Sequence, residues 1–384
     1  MTSLLVIIVL VLLSIALWQL TKIFHLTQVG KEVNSSQTAS EKDNKVQGYL
    51  MFGFLAFIYI GMIYGLIVWG PLVLDNPASE HGTDVDLLMD ITWLLIFIVQ
   101  FITQFLLHYF AFKYRGTKDS KALYFADNNK LELIWSTIPA VVLAGLILYG
   151  LYSWTNIMFV NEQEEEVIVV ELYAKQFGWE ARYAGDDNVL GKANVRYIAG
   201  VNTVGVDMGD PNAQDDKMAT ELYIPKGKKI LFKMRSQDVL HSAYMPHFRA
   251  QMNCVPGMVT QFAFTPTLTT EEYRAIPKIS EKVAHINKLR NDKSNALIAK
   301  GEVGLDPYEF DFLLLCNKIC GASHYNMQMK ITVVSPADYK AWLAGKPTMK
   351  EQMAAAEAPA EPETAPVKSQ DSTTTKAAEV ALLN

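Results

Sequence analysis

Cysteine is scarce in this 384-residue chain: Cys254, Cys316 and Cys320 are the only three, too few for a disulfide framework. No Cys-x-x-Cys-His occurs, so no c-type haem is attached to the chain. Positive charge is not in excess, and a formal net charge of -6 argues against a nucleic-acid partner. Long apolar runs are missing after about residue 160, although half of all residues are hydrophobic. The apolar residues are therefore segregated, with long runs before that point and a soluble-looking domain with a polar tail after it.

Four stretches are apolar enough to cross a hydrocarbon core that needs roughly 20 residues. They run approximately over Leu4 to Leu20, Tyr49 to Leu74, Ile91 to Phe112 and Leu133 to Trp154. The first has no basic residue ahead of it and no small-x-small cleavage pattern behind it, so it reads as a retained span rather than a signal peptide. Orientation follows from lysine and arginine, which gather in cytoplasmic loops. Thr21 to Gly48 carries Lys22, Lys31, Lys42 and Lys45, and Lys113 to Lys130 is also basic, whereas Asp75 to Asp90 has neither residue type. The first two segments read as inside and the third as outside, which leaves both termini and everything after Trp154 on the outer face. Glu132 stands where the last span begins, and an acid there is either an interfacial side chain in contact with water or the mouth of a buried proton path.

From about Glu166 the pattern turns to short β-rich runs punctuated by Gly and Pro, at 167–173, 221–224, 230–234, 258–264, 308–315 and 330–334, the expectation for an all-β sandwich. Two stretches interrupt them, 185–220 and 269–304, the second helical by the spacing of Val283, Ile286 and Leu289. Past Pro347 the composition becomes Ala, Glu, Pro, Thr and Lys without periodicity, which predicts a disordered tail.

Chemistry concentrates in Cys316-Asn-Lys-Ile-Cys320-Gly-Ala-Ser-His324-Tyr-Asn-Met327. Two thiols, an imidazole and a thioether form a soft to borderline donor set, suited to copper or zinc rather than magnesium or calcium. His241, at the end of another predicted strand, can close the site. A single blue-copper centre leaves one Cys without a role. Structural zinc has no use for Met327. A Cys316–Cys320 disulfide is the remaining structural alternative. A binuclear copper site employs every residue.

These motifs carry a resemblance. Leu131-Glu-Leu-Ile-Trp135-Ser-Thr-Ile-Pro139, Gln176-Phe-Gly-Trp179, Asp238-Val-Leu-His241-Ser242, Pro256-Gly257 and the Cys316 to Met327 loop, in this order, resemble cytochrome oxidase subunit II from about Asp90 to Ala337. The resemblance implies a transmembrane α-helical hairpin carrying an all-β cupredoxin-like sandwich, here with two additional N-terminal transmembrane helices. The expected division is 1–80 for the extra helices, 81–160 for the hairpin, 161–340 for the copper domain and 341–384 for the tail. Cys316 and Cys320 would bridge two coppers of a CuA centre, His241 and His324 would cap them, Met327 would bind weakly and the Lys318 carbonyl would complete the set. Phe177 and Trp179 would mark where electrons enter, and Glu132 the family's proton path.

The implied role is to take electrons from a cytochrome c type donor, free or within a larger respiratory supercomplex, and pass them to haem in subunit I, where dioxygen reduction drives proton translocation. Other oxidase subunits and a bacterial inner membrane, with the copper domain on its outer face, belong to the same implication. Competing readings are a quinol-oxidase-type scaffold, a nitrous oxide reductase type complex and a copper storage or delivery protein. The chain also departs from the family pattern. Phe177 stands where the family often has tryptophan. Asn253 and Cys254 replace a common Asp-Ala pair, and Cys254 reads as a small buried hydrophobe. His247 and Met329 read as structural. Lys318 replaces a glutamate whose carboxylate binds a boundary magnesium ion, and an ammonium group cannot supply that ligand.

Overall fold

The computed structural model describes residues 2–28, 40–73, 75–121, 123–160 and 166–357. Four helices come first: α1 (Thr2–Gln28), α2 (Glu41–Val68), α3 (Glu80–Lys113) and α4 (Asn129–Met158). The last three are long and apolar enough to cross a membrane, while α1 contributes a shorter apolar stretch, Ile8–Phe24. Four full-length spans were expected, so the structure supports three together with a shorter apolar helix. Apolar side chains such as Ile98, Leu107, Val141 and Leu148 are exposed along α3 and α4. Water does not tolerate that density of apolar surface, whereas lipid and neighbouring membrane helices do. Ser40 caps α2 by accepting from the Asp43 N–H at 3.1 Å, and Asn128 Oδ1 accepts from Leu131 N–H at 3.1 Å at the start of α4.

The chain divides into two compact units, Met1–Gly70 with Trp93–Ser136, and Pro71–Thr92 with the chain from Thr137 onward. The second unit contains a two-sheet sandwich of strands β1 (Val167–Lys175), β2 (Gly178–Tyr183), β3 (Lys217–Ala219), β4 (Leu222–Pro225), β5 (Lys229–Ser236), β6 (His241–Met245), β7 (Ala250–Cys254), β8 (Thr260–Phe264), β9 (Phe312–Cys316) and β10 (Gln328–Val334). One sheet has the order β3-β2-β1-β5-β8 and the other β4-β10-β9-β6-β7. Val170, Leu172, Ile230 and Phe232 of the first meet Leu222, Phe312, Leu314 and Ile331 of the second in one core. Each large apolar side chain fully buried there contributes roughly 1.5–3 kcal/mol.

Both stretches that interrupt the strand pattern fold onto the sandwich. The first covers the outer side of β1, with Val204, Val206 and Ala213 packed on Tyr173. This explains why 167–174 is apolar without strict alternation. Beneath it Arg182 is buried between Glu171, at 2.6 Å, and Asp216, at 2.7 Å. The second stretch forms α5 (Thr270–Arg274), opened by a capping box of Thr269 and Glu272, and α6 (Pro277–Ile298). Tyr273 is fully buried and its ring lies 5.0 Å from that of Phe310 and 4.8 Å from that of Phe312. His247 fits edge-on among the same rings, and Met329 is buried in the core, so both are structural.

The predicted tail begins too early. Residues 341–357 lie largely in α7 (Pro336–Ala344) and α8 (Met349–Glu357), while 358–384 fall outside the described residues. Two anchors hold these helices. The Trp342 ring stacks on Tyr223 with centroids 4.5 Å apart, and Met349 is fully buried with its N–H donating to the Asp216 carbonyl at 2.7 Å. A composition rich in Ala, Glu and Lys hides such anchors, because an average over a segment does not register two well-placed apolar side chains.

The segment ahead of α3 is tied into the same unit. Asp75 is 4% exposed and pairs with Lys278 at 3.1 Å and Lys282 at 3.2 Å, one turn apart on α6. Arg249 donates to the Asp75 carbonyl at 2.7 Å and to both oxygens of Asp86 at 2.7 and 2.8 Å. Tyr273 Oη donates to the Asn76 carbonyl at 2.8 Å, and Ser79 Oγ to the Phe248 carbonyl at 2.7 Å. Burial alone would raise the Asp75 carboxyl, but hydrogen bonds and charge from Lys278 and Lys282 outweigh it and hold it below the usual carboxylate range. A depressed carboxylate stabilises the fold above its unfolded pKa of about 3.9, and that contribution disappears as pH falls through the folded value. Asp75→Asn should therefore cost roughly 1–3 kcal/mol near neutral pH, towards the lower end because both ammonium groups stay half in water. Urea unfolding of the full chain in detergent should show this deficit at pH 7 and a shrinking deficit below about pH 4.

Candidate metal centre

The second sheet gathers the predicted donors at one of its ends. His241 opens β6, Cys316 closes β9, and Met327 immediately precedes β10. Register brings them together: Ala243 pairs with Cys316 across β6 and β9, while Gln328 pairs with Leu315 across β9 and β10. The loop is then pinned by backbone. Cys316 N–H donates to the Met327 carbonyl at 3.1 Å and Asn317 N–H to the Ser242 carbonyl at 3.0 Å. Inside it a short 3₁₀ turn at His324–Asn326 aims His324 back at the cysteines.

The donor atoms form a continuous ladder. His241 Nδ1 lies 3.7 Å from Cys316 Sγ, which lies 3.9 Å from Cys320 Sγ. Cys320 Sγ lies 3.6 Å from His324 Nδ1 and 3.8 Å from Met327 Sδ. The Lys318 carbonyl stands 3.2 Å from Cys316 Sγ, and its side chain is exposed. One donor atom from each of His241, Cys316 and Cys320 falls within 4.8 Å of the others. Both cysteines are free, so no disulfide joins them. His241 is fully buried, while Cys320 and Met327 are nearly so.

Electrostatics match a site that takes a cation. Burial, and next the adjacent Cys316, pushes the Cys320 thiol up to about 11. Binding a metal must displace that proton, so uptake is coupled to proton release. His241 Nε2 donates to Asp238 Oδ1 at 2.8 Å. A carboxylate only accepts, so the proton sits on Nε2 and the Nδ1 lone pair faces Cys316. Burial would raise the Asp238 carboxyl, but the hydrogen bonds from His241 and from the Gln176 and Val239 N–H groups hold it low. With metal–thiolate bonds of about 2.3 Å, two sulfurs 3.9 Å apart can both reach one ion, and an imidazole stands on either side of the pair. The donor set therefore fits soft metal ions.

The other predicted residues divide. Trp179 is 5% exposed, with its ring centroid 6.3 Å from that of His241 in an edge-on contact, whereas Phe177 is 38% exposed. Glu132 is exposed in the first turn of α4, far along the chain from the donors. Cys254 is fully buried and pairs in register with His241, outside the donor cluster. Sequence reasoning missed Gln176 and Asp238 as supporting residues. Both stood inside quoted motifs, and the acid three positions ahead of a ligand histidine was the available signal.

Apolar helices followed by a two-sheet sandwich, with two thiols, two imidazoles and a thioether at one sheet end, define a membrane-anchored cupredoxin-like protein with a donor cluster that could hold a soft metal ion. Two family profiles match the chain: cytochrome c oxidase subunit II, transmembrane domain, over residues 67–155, and cytochrome c oxidase subunit II, periplasmic domain, over 168–281. The alternative cytochrome c oxidase subunit 2 of Bradyrhizobium diazoefficiens is 31% identical over 276 residues, 71% of this chain and 84% of that one. The cytochrome c oxidase subunit 2 of Cereibacter sphaeroides is 20% identical over 280 residues, 69% of this chain and 77% of the relative. Among solved structures, the periplasmic domain of cytochrome oxidase subunit II from Bradyrhizobium japonicum is 17% identical and covers 47% of this chain and 93% of its own, with a TM-score of 0.27. A haem-copper terminal oxidase dimer contains a chain 15% identical, covering 53% and 98%, with a TM-score of 0.29. The chain belongs to the cytochrome c oxidase subunit II family and is a subunit of an oxidoreductase. The second profile ends inside α6, so the loop from Cys316 to Met327 lies beyond it.

Gly321, directly after Cys320, has φ +141°, and a Cβ there would meet the Phe177 ring at 2.8 Å and Gln176 Nε2 at 2.9 Å. Gly321→Ala should cost roughly 1–3 kcal/mol of loop stability. Metal retention during dialysis against a chelator should fall accordingly. Adding Phe177→Ala should recover only part of the loss, because it relieves the clash and leaves the backbone strain.

Proposed function

We propose that this chain holds a binuclear copper centre, CuA, and is the subunit through which electrons enter a haem-copper terminal oxidase. The carrying observation is the ladder from His241 through Cys316 and Cys320 to His324, which makes two equivalent ends around one pair of thiols. Cys316 and Cys320 would bridge, His241 and His324 would each serve one copper, and Met327 and the Lys318 carbonyl would be weaker ligands. Two coppers held by these ligands would share one unpaired electron and could take up and release a single electron with little rearrangement.

The remaining residues support that chemistry. Asp238 keeps the His241 proton on Nε2, so Nδ1 stays available as a donor. Trp179, buried against His241, excludes water from that side, and the exposed edge of Phe177 faces a docking cytochrome c type donor. Haem belongs to subunit I, where dioxygen is reduced and protons are moved, and Glu132 would stand at the mouth of a proton path into it. The copper domain would face the periplasm from a bacterial inner membrane. Lys318 offers its carbonyl to copper but no side-chain ligand to a boundary magnesium ion, so no magnesium ion should be coordinated by this loop.

Low-temperature electron paramagnetic resonance of the purified oxidase tests the reading. Two coppers per chain and a seven-line hyperfine pattern are expected. Cys316→Ser or Cys320→Ser should abolish the pattern. A four-line, single-copper spectrum would falsify the assignment.

A further inference from the structure

The two-residue loop of the β1–β2 hairpin, Gln176-Phe177, lies between Lys175 and Gly178, which pair in register. This hairpin belongs to the first sheet, whereas every side-chain donor of the metal centre hangs from the second. Gln176 crosses between them with two hydrogen bonds. Its backbone N–H donates to Asp238 Oδ2 at 2.7 Å, and its side-chain Nε2 donates to the Cys320 carbonyl. Asp238 Oδ1 in turn accepts from His241 Nε2 at 2.8 Å. A single residue is thus linked to the His241 side of the site through Asp238 and to the Cys320 side through a backbone carbonyl.

We infer that Gln176 is a positioning residue for the copper centre, joining the loop that carries Asp238, the partner of His241, to the loop that carries Cys320, and holding His241 and Cys320 at their separation in the donor ladder. The inference rests on the copper reading above and adds a residue that is not itself a ligand. Three observations carry it. The partners are far apart in sequence, 144 residues for Gln176 and Cys320 and 62 for Gln176 and Asp238, so no local turn would bring them together. The Cys320 carbonyl belongs to the peptide that precedes Gly321, so a donor on it restrains that peptide plane and with it the Cys320 backbone from which Sγ projects. Gly321 has no Cβ, and a Cβ there would approach Gln176 Nε2 to 2.9 Å; the close approach needs glycine. The oriented partners of ligands tune a metal site as well as hold it, and loosening one should change the distribution of the unpaired electron along with metal retention.

Gln176→Met tests this with little change in length or volume. It removes the side-chain donor and keeps the backbone N–H to Asp238. The full chain is compared with the wild type in the purified oxidase and as the metal-free chain in detergent. Three results are expected: two coppers still bound, an altered hyperfine splitting, and copper loss to a copper(I) chelator faster by roughly two- to tenfold, the span of one net hydrogen bond. In the metal-free chain, Cys316 and Cys320 should react faster with a thiol reagent while the thermal midpoint stays within a degree or two. Wild-type spectrum and wild-type copper loss in Gln176→Met would overturn the inference. A lowered thermal midpoint with an unchanged spectrum would also overturn it, because that is the signature of a merely structural contact. If the wild type itself held one copper or none, the copper reading would fail instead, and the thiol reactivity of the metal-free chain would still report on the Gln176 link.

Discussion

Everything at the metal centre depends on the antiparallel ladder of β6, β9 and β10. A thioether, two imidazoles and two thiols from His241 and the distant Cys316 to Met327 segment converge only if three strand ends stop at the same edge. The Ala243–Cys316 pairing and the Cys316 N–H bond to the Met327 carbonyl bring that about. A slip of one residue in β9 would turn Cys316 to the opposite face of the sheet and empty the site of one thiol. The buried alternation of Phe312 and Leu314 guards against the slip, because it would move both side chains out of the core. Core packing and metal chemistry therefore rest on one register.

Much of this was legible in the sequence. The Cys316 to Met327 loop keeps all its loop donors within one turn-rich segment, and local spacing carries that information. The β runs were visible wherever one face is apolar, as in 230–234 and 330–334. Three strands, β2, β3 and β7, were not among the predicted runs, and the strand expected to end at His241 is instead β6, which His241 opens. β2 and β6 hold polar or charged residues whose partners are distant, such as Arg182 buried between Glu171 and Asp216, and His241 against Cys316. A polar residue looks like surface until its buried counterpart is known. The tail misjudgement has the same origin, since Trp342 and Met349 gain meaning only from Tyr223 and from the core they enter.

The interruptions in the sandwich were harder still. Their composition marks them as insertions, and nothing in it says which way they fold. The structure turns both inward. One buries the charged belt around Arg182, and the other carries Tyr273 into the ring cluster with Phe310 and Phe312 and presents Lys278 and Lys282 to Asp75. Burying Arg182 with only one carboxylate would leave a large desolvation penalty uncompensated, and the second carboxylate comes from the end of the insertion itself. The insertion is thus part of the fold of the sandwich domain.

The clamp on Asp75 also sets an order of events during biogenesis. Asp75 leaves the ribosome long before its partners, with Lys282 lying 207 residues later in the chain. Until α6 has been made, the segment ahead of α3 has neither Lys278 nor Lys282 to meet, and a buried carboxylate without them is costly. The cysteine loop and β10 emerge later again. The clamp can therefore close before the Cys316 to Met327 loop has been made, and the donor cluster is complete only once β10 follows.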